Sequence, residues 1–171
     1  MKSKAAIGNH PIHPALVTIP IGSFVLALIG DIATSVTHDQ FWYTFAYYCV
    51  GIGILSGLLA AVFGLIDYFS VRMSARGKNL ATIHLVLNVI AIVLYIVDWY
   101  ERRDNRAFLS SGWAAVMALE IAALVILSIS GWIGGEMAYI HKVGVVENAD
   151  LEATAIGSNE VSSSVEKREA A

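Results

Sequence analysis

The sequence predicts an all-α protein, a four-helix transmembrane bundle followed by a disordered C-terminal tail, on three observations. Hydrophobic residues make up 57% of its 171 positions and charged residues only 15%, against about 25% charged in a soluble domain. The apolar residues gather into four runs, each close to or above the roughly 20 residues that a helix needs to cross the hydrocarbon core. Backbone polar groups in lipid must be satisfied within the segment, so runs of this length are helices, not strands. The four runs fill residues 1–146 and leave no room for a separate soluble domain.

Segment 1 covers about residues 14–36. Pro14 suits a first helical turn, where its missing N–H costs little. Pro20 lies one to two turns further in and predicts a kink. The run is long for a signal-peptide core and lacks a small-residue cleavage site, so it reads as retained. Segments 2, 3 and 4 cover about residues 43–69, 80–100 and 113–139. From Glu147 to Ala171 the composition shifts to Ser, Glu and Ala without apolar periodicity, which predicts a disordered acidic tail. Such a tail can also act as a docking or regulatory segment.

Loop charge sets orientation. Lys2, Lys4, Arg72, Arg76, Lys78 and Lys142 fall on one side, and Arg102, Arg103 and Arg106 on the other. The bias predicts an inner-membrane protein with both termini in the cytoplasm, although the last loop dissents. Phe41, Trp42, Tyr43, Trp99, Tyr100 and Trp113 are expected to form an aromatic belt at the far interface.

Several classes are excluded or disfavoured. The net charge of −3 argues against nucleic acid. Cys49 stands alone in an apolar run, so it reads as a packing residue. No nucleophile elbow, phosphate-binding glycine loop or paired-Cys motif occurs, and nothing points to an enzyme.

Polar groups at membrane depth are costly, about 2.5–3.5 kcal/mol for a charge at the helix centre. Here they form stripes. On segment 3, His84, Asn88, Ala91, Tyr95 and Asp98 share one helix face. On segment 2, Gly53, Gly57, Ala60 and Gly64 form a small-residue face leading to Asp67, and Gly131 and Gly135 form a second such pair on segment 4. Small residues at this spacing let helices approach closely. Glu120 lies on about the same face of segment 4. Asp31, Asp98 and Glu120 are expected to pair with one another or with Arg102, and a proton path there is an alternative.

The histidines carry the most specific expectation. His10 and His13 precede segment 1, with Pro11 and Pro14 stiffening the lead-in. His84 begins segment 3, and His141 follows segment 4. All four return to one membrane face, together with Asp67 and Glu136. His38 lies in an opposite loop beside Asp39 and is expected to be solvated. Imidazoles with carboxylates suit zinc or iron, which makes His10, His13, His84, His141, Asp67 and Glu136 a candidate metal set. Alternatively, paired imidazoles hold a haem b axially, with His84 and His141 first in line, then His13 and His10. The plain alternative is that each histidine only anchors a helix end.

Four stretches resemble a known family. They are His10-Pro11-Ile12-His13-Pro14-Ala15-Leu16-Val17 with Pro20-Ile21-Gly22, Gly57-Leu58 through Gly64-Leu65-Ile66-Asp67-Tyr68, His84-Leu85-Val86-Leu87-Asn88, and Gly134-Gly135-Glu136 through His141 with Val143-Gly144-Val145. Over about residues 8–146 the chain resembles the bacterial predicted membrane proteins of domain-of-unknown-function family 2231. The resemblance implies a four-helix membrane protein. Some members are fused or adjacent to Rieske-type iron–sulfur domains, which implies a redox partner and electron transfer. Members often carry a further histidine where this chain has Thr18; if that histidine is a ligand in relatives, its absence either weakens a shared cofactor or shifts ligation to His13.

Three functions follow as expectations. The first is a redox membrane subunit binding haem b or a transition metal through the histidines. The second is a cofactor-free membrane scaffold or accessory subunit, possible also as a homo-oligomer. The third is a small transporter or proton conductor, which the lack of an inverted broken-helix repeat disfavours.

Overall fold

A computed structural model describes residues 3–8, 10–103 and 113–141. Lys2, Arg106, Lys142 and the tail from Glu147 onward lie outside the described residues. A two-residue antiparallel hairpin, β1 (Ala6–Ile7) with β2 (His10–Pro11), opens the chain. Five helices follow: α1 (Ile12–Leu16), α2 (Thr18–Thr37), α3 (Gln40–Ser70), α4 (Ala75–Arg102) and α5 (Trp113–Tyr139). Four spans long and apolar enough to cross a membrane result, the first being α1 and α2 together.

The first span breaks at Val17, between α1 and α2. Pro20 explains the break: its ring nitrogen has no hydrogen to give the carbonyl of Leu16 one turn earlier. Sequence hydropathy ends α3 and α4 short of their true limits, because it reports apolar length and not capping. Asp39 caps α3 by accepting from the Phe41 amide, and Ser74 caps α4 by accepting from the Gly77 amide. His38, in the left-handed region at φ 55°, terminates α2.

The outer surface inverts the soluble pattern. Leu55, Val89, Val93 and Trp132 face outward, whereas Asp31, Asp98, Arg102, Glu120 and Ser130 are fully or almost fully buried. Lipid accounts for this arrangement, since it solvates aliphatic side chains and not charges.

α2 packs along α3 and α4 along α5, giving two helical hairpins. The hairpins meet through a series of pairs offset by 70 or 71 residues. His13 meets His84, and Phe24 stacks on Tyr95 with ring centroids 3.6 Å apart and planes 3° from parallel. Asp31 meets Arg102, and Tyr43 meets Trp113. Contacts between equivalent positions are what two copies of one unit make across an approximate two-fold axis. The parallel course of the first and third spans places that axis along the membrane normal, as in parallel transporter repeats. The offset is visible in Ile12-His13 against Ile83-His84 and in Gly64 against Gly134.

The core lies where the hairpins meet, around Phe24, Ala27, Val50, Ile54, Tyr95 and Ala123. The small residues of α3 have distinct uses. A Cβ on Gly53 would overlap the Phe24 ring, and one on Gly57 would lie 2.9 Å from Ile92 Cδ1. Gly131 and Gly135 meet nothing within 4 Å, so the expected second packing pair is not at an interface among the described residues. Gly53→Ala should therefore cost about 1–3 kcal/mol through overpacking, while Gly131→Ala should be neutral or slightly favourable. Thermal melts of the two variants in detergent check this; equal melting temperatures would contradict it.

Candidate functional site: a histidine pair on the bundle axis

The site begins with the lead-in. The hairpin turn passes through Gly8 at φ +62°, a conformation that favours glycine. The Ile12 amide then bonds the Ala5 carbonyl at 2.9 Å. Ser3 Oγ donates to Asp67 Oδ1 at 2.6 Å, and the Ala5 amide lies 3.4 Å from the same oxygen. The N-terminal strap is thus tied across the end of α3, and α1 is held beneath it.

From α1, His13 reaches across to α3. Its Nδ1–H donates to the Ala60 carbonyl at 2.8 Å. The ring lies over Gly64, where a Cβ would come within 3.0 Å of it. His84 repeats the arrangement on the other hairpin. Its Nδ1–H donates to the Ser130 carbonyl at 2.8 Å, and its ring lies over Gly134, 3.1 Å from where a Cβ would stand. In both cases the accepting carbonyl and the glycine are four residues apart on one helix. That spacing stacks them one turn above the other, so the ring finds an acceptor and an open seat together.

A carbonyl can only accept, so Nδ1 carries the proton in both rings. Each neutral imidazole then presents Nε2 with a free lone pair. Among the described residues neither Nε2 has a hydrogen-bond partner. The two ring centroids are 6.4 Å apart, with planes at 88°. Around His84, Asn88 Nδ2 donates to Ser130 Oγ at 2.6 Å and to the His84 carbonyl at 2.7 Å. The polar stripe on α4 thus holds one imidazole.

The other candidates stand apart from this pair. His10 is exposed on β2. Asp67 is engaged by the strap. Glu136 lies 3.7 Å from both Arg76 Nη2 and His141 Nε2, which places His141 at the bundle end. Among the described residues no group of three or more His, Cys, Asp or Glu side chains is placed to hold a metal ion. The pair the structure brings together is His13 with His84, whereas sequence reasoning put His84 with His141 first.

A second polar cluster occupies the other end of the axis. Arg102 forms a bidentate pair with Asp31, Nη1–Oδ1 2.7 Å and Nη2–Oδ2 2.5 Å. Its Nε donates to Asp98 Oδ2 at 2.9 Å, and Nη2 lies 3.5 Å from Glu120 Oε2. All four side chains are fully buried. Tyr43 donates to the Arg102 carbonyl at 2.6 Å. It is buried and so is not a lipid-facing member of the aromatic belt.

No curated protein and no solved structure matches the chain. One family model does, described as a predicted membrane protein and matching residues 9–147. That span takes in the strap's His10, His13 and His84, all four spans and the Arg102 cluster, and on it the chain belongs to the DUF2231 family of predicted membrane proteins.

Proposed function

We propose that the protein is a redox membrane subunit that binds a haem b between His13 and His84. The observation that carries the reading is the pair itself: two rings 6.4 Å apart, each with Nδ1 bonded to a backbone carbonyl and Nε2 unpartnered. His13 and His84 would hold the iron through their unpartnered Nε2 atoms. The carbonyl bonds fix tautomer and orientation, as outer-shell partners of metal-bound histidines do.

The donor set favours haem over a bare ion. A structural zinc takes four ligands from the protein, whereas a haem iron needs only axial ligands because the porphyrin supplies the rest. A haem would supply one-electron chemistry. The protein's own part is to orient two imidazoles and surround them with lipid-embedded helices that exclude water.

On this reading the chain lies in the bacterial inner membrane with both termini cytoplasmic. Arg102 no longer counts as a free loop charge, which strengthens the basic excess at the terminal face. The histidine pair then lies toward the cytoplasmic side. The redox partner would be a Rieske-type or similar electron carrier.

An absorbance spectrum of protein purified from haem-supplied cells, air-oxidised and then dithionite-reduced, tests the proposal. A Soret band that shifts on reduction is expected. A flat spectrum with no bound metal by elemental analysis would overturn it in favour of a cofactor-free scaffold. Gly64→Ala and Gly134→Ala should each weaken haem binding about 10–100-fold, the scale of outer-shell changes. Unchanged haem content in both would mean that the glycine seats do not position the rings.

A further inference from the structure

The two-fold relation makes the polar cluster at the far end lopsided. Asp31 and Arg102 occupy equivalent positions and neutralise each other. The position equivalent to Asp98 is Ala27, and that equivalent to Glu120 is Val50, both fully buried and apolar. The second hairpin therefore adds two carboxyls around the buried Arg102 guanidinium. Neither Glu120 oxygen receives a hydrogen bond, and Asp98 Oδ1 also has no donor.

A separate observation points into the same space. Tyr95 is fully buried on α4, one turn before Asp98, and its hydroxyl has no partner among the described residues. Glu120 from α5 lies 3.5 Å from Arg102 Nη2, on the guanidinium that already holds both Asp31 oxygens. Three ionised carboxylates around one guanidinium leave two negative charges in excess away from water, and a proton on one carboxyl reduces that excess.

We propose that Glu120 and Asp98, with Asp31, Arg102 and Tyr95 around them, form an exchangeable proton-binding site whose proton resides on Glu120. The groups facing Glu120 are Asp31 from α2, Cys49 from α3, and Tyr95, Asp98 and Arg102 from α4. With one proton the cluster carries a net charge of −1. The Tyr95 hydroxyl is able to donate to a carboxyl oxygen and to accept from a protonated one. The assignment is independent of haem binding.

Infrared spectroscopy of the full chain in detergent reads the proton directly. A carbonyl band of a protonated carboxyl is expected at neutral pH, shifting in D2O, disappearing at alkaline pH, and absent in Glu120→Gln. The Glu120→Gln protein should melt no lower than wild type, because the amide mimics the neutral acid. Absence of the band in wild type, its persistence in Glu120→Gln, or failure to shift in D2O would each overturn the proposal. The wild-type spectrum decides even if the variant does not fold.

Discussion

With haem held as proposed, replacing His13 or His84 should abolish its binding, while replacing His10 or His141 should not. His84→Ala and His13→Ala each remove one of two axial donors and leave a glycine seat open. The expected result is loss of the six-coordinate spectrum in both. His141→Ala and His10→Ala should keep wild-type haem content, since His141 sits beside Glu136 and His10 is exposed on the hairpin. Pyridine haemochrome content per protein checks the four variants. Loss in His141→Ala with retention in His13→Ala would restore the pairing that the sequence alone favoured. A fold defect is distinguished by the melting temperature, because neither ring packs in the hydrophobic core.

Removing Arg102 should have the largest effect on stability. Its guanidinium is fully buried and meets carboxyls from three helices. Arg102→Ala leaves those carboxyls without a cation, and breaking a buried pair this way costs about 3–5 kcal/mol. Arg102→Lys should recover only part of the loss, because an ammonium cannot make the bidentate bond to Asp31 while also reaching Asp98. The two-fold relation adds a sharper test. Asp31 and Arg102 are equivalent positions, so the exchange Asp31→Arg with Arg102→Asp should melt above either single variant. A double variant no more stable than the worse single one would count against the equivalence.

The spans were legible because lipid imposes length and apolarity on any segment that crosses it. The stripe His84, Asn88, Tyr95 and Asp98 was legible because spacings of three and four return to one helix face, and the structure turns that face to the axis. The depth of His13 was not legible. Hydropathy places it at the interface, but the strap bound to Asp67 and the break at Val17 set α1 against Ala60 and Gly64. Arg102 counts among the loop charges because it ends an apolar run, yet its pairing with Asp31, Asp98 or Glu120 was also legible; what needed the packing of the two hairpins is that one guanidinium meets all three. The signal that was available and missed is the 71-residue offset joining His13 to His84, Phe24 to Tyr95 and Asp31 to Arg102.

Electron paramagnetic resonance of the oxidised, purified protein tests the axial pair most directly. Were His13 and His84, whose planes lie at 88°, both to hold the iron, the ferric protein would give a low-spin signal of the strongly anisotropic type. A high-spin signal, or protein free of haem iron after growth with ample haem precursor, would contradict the account.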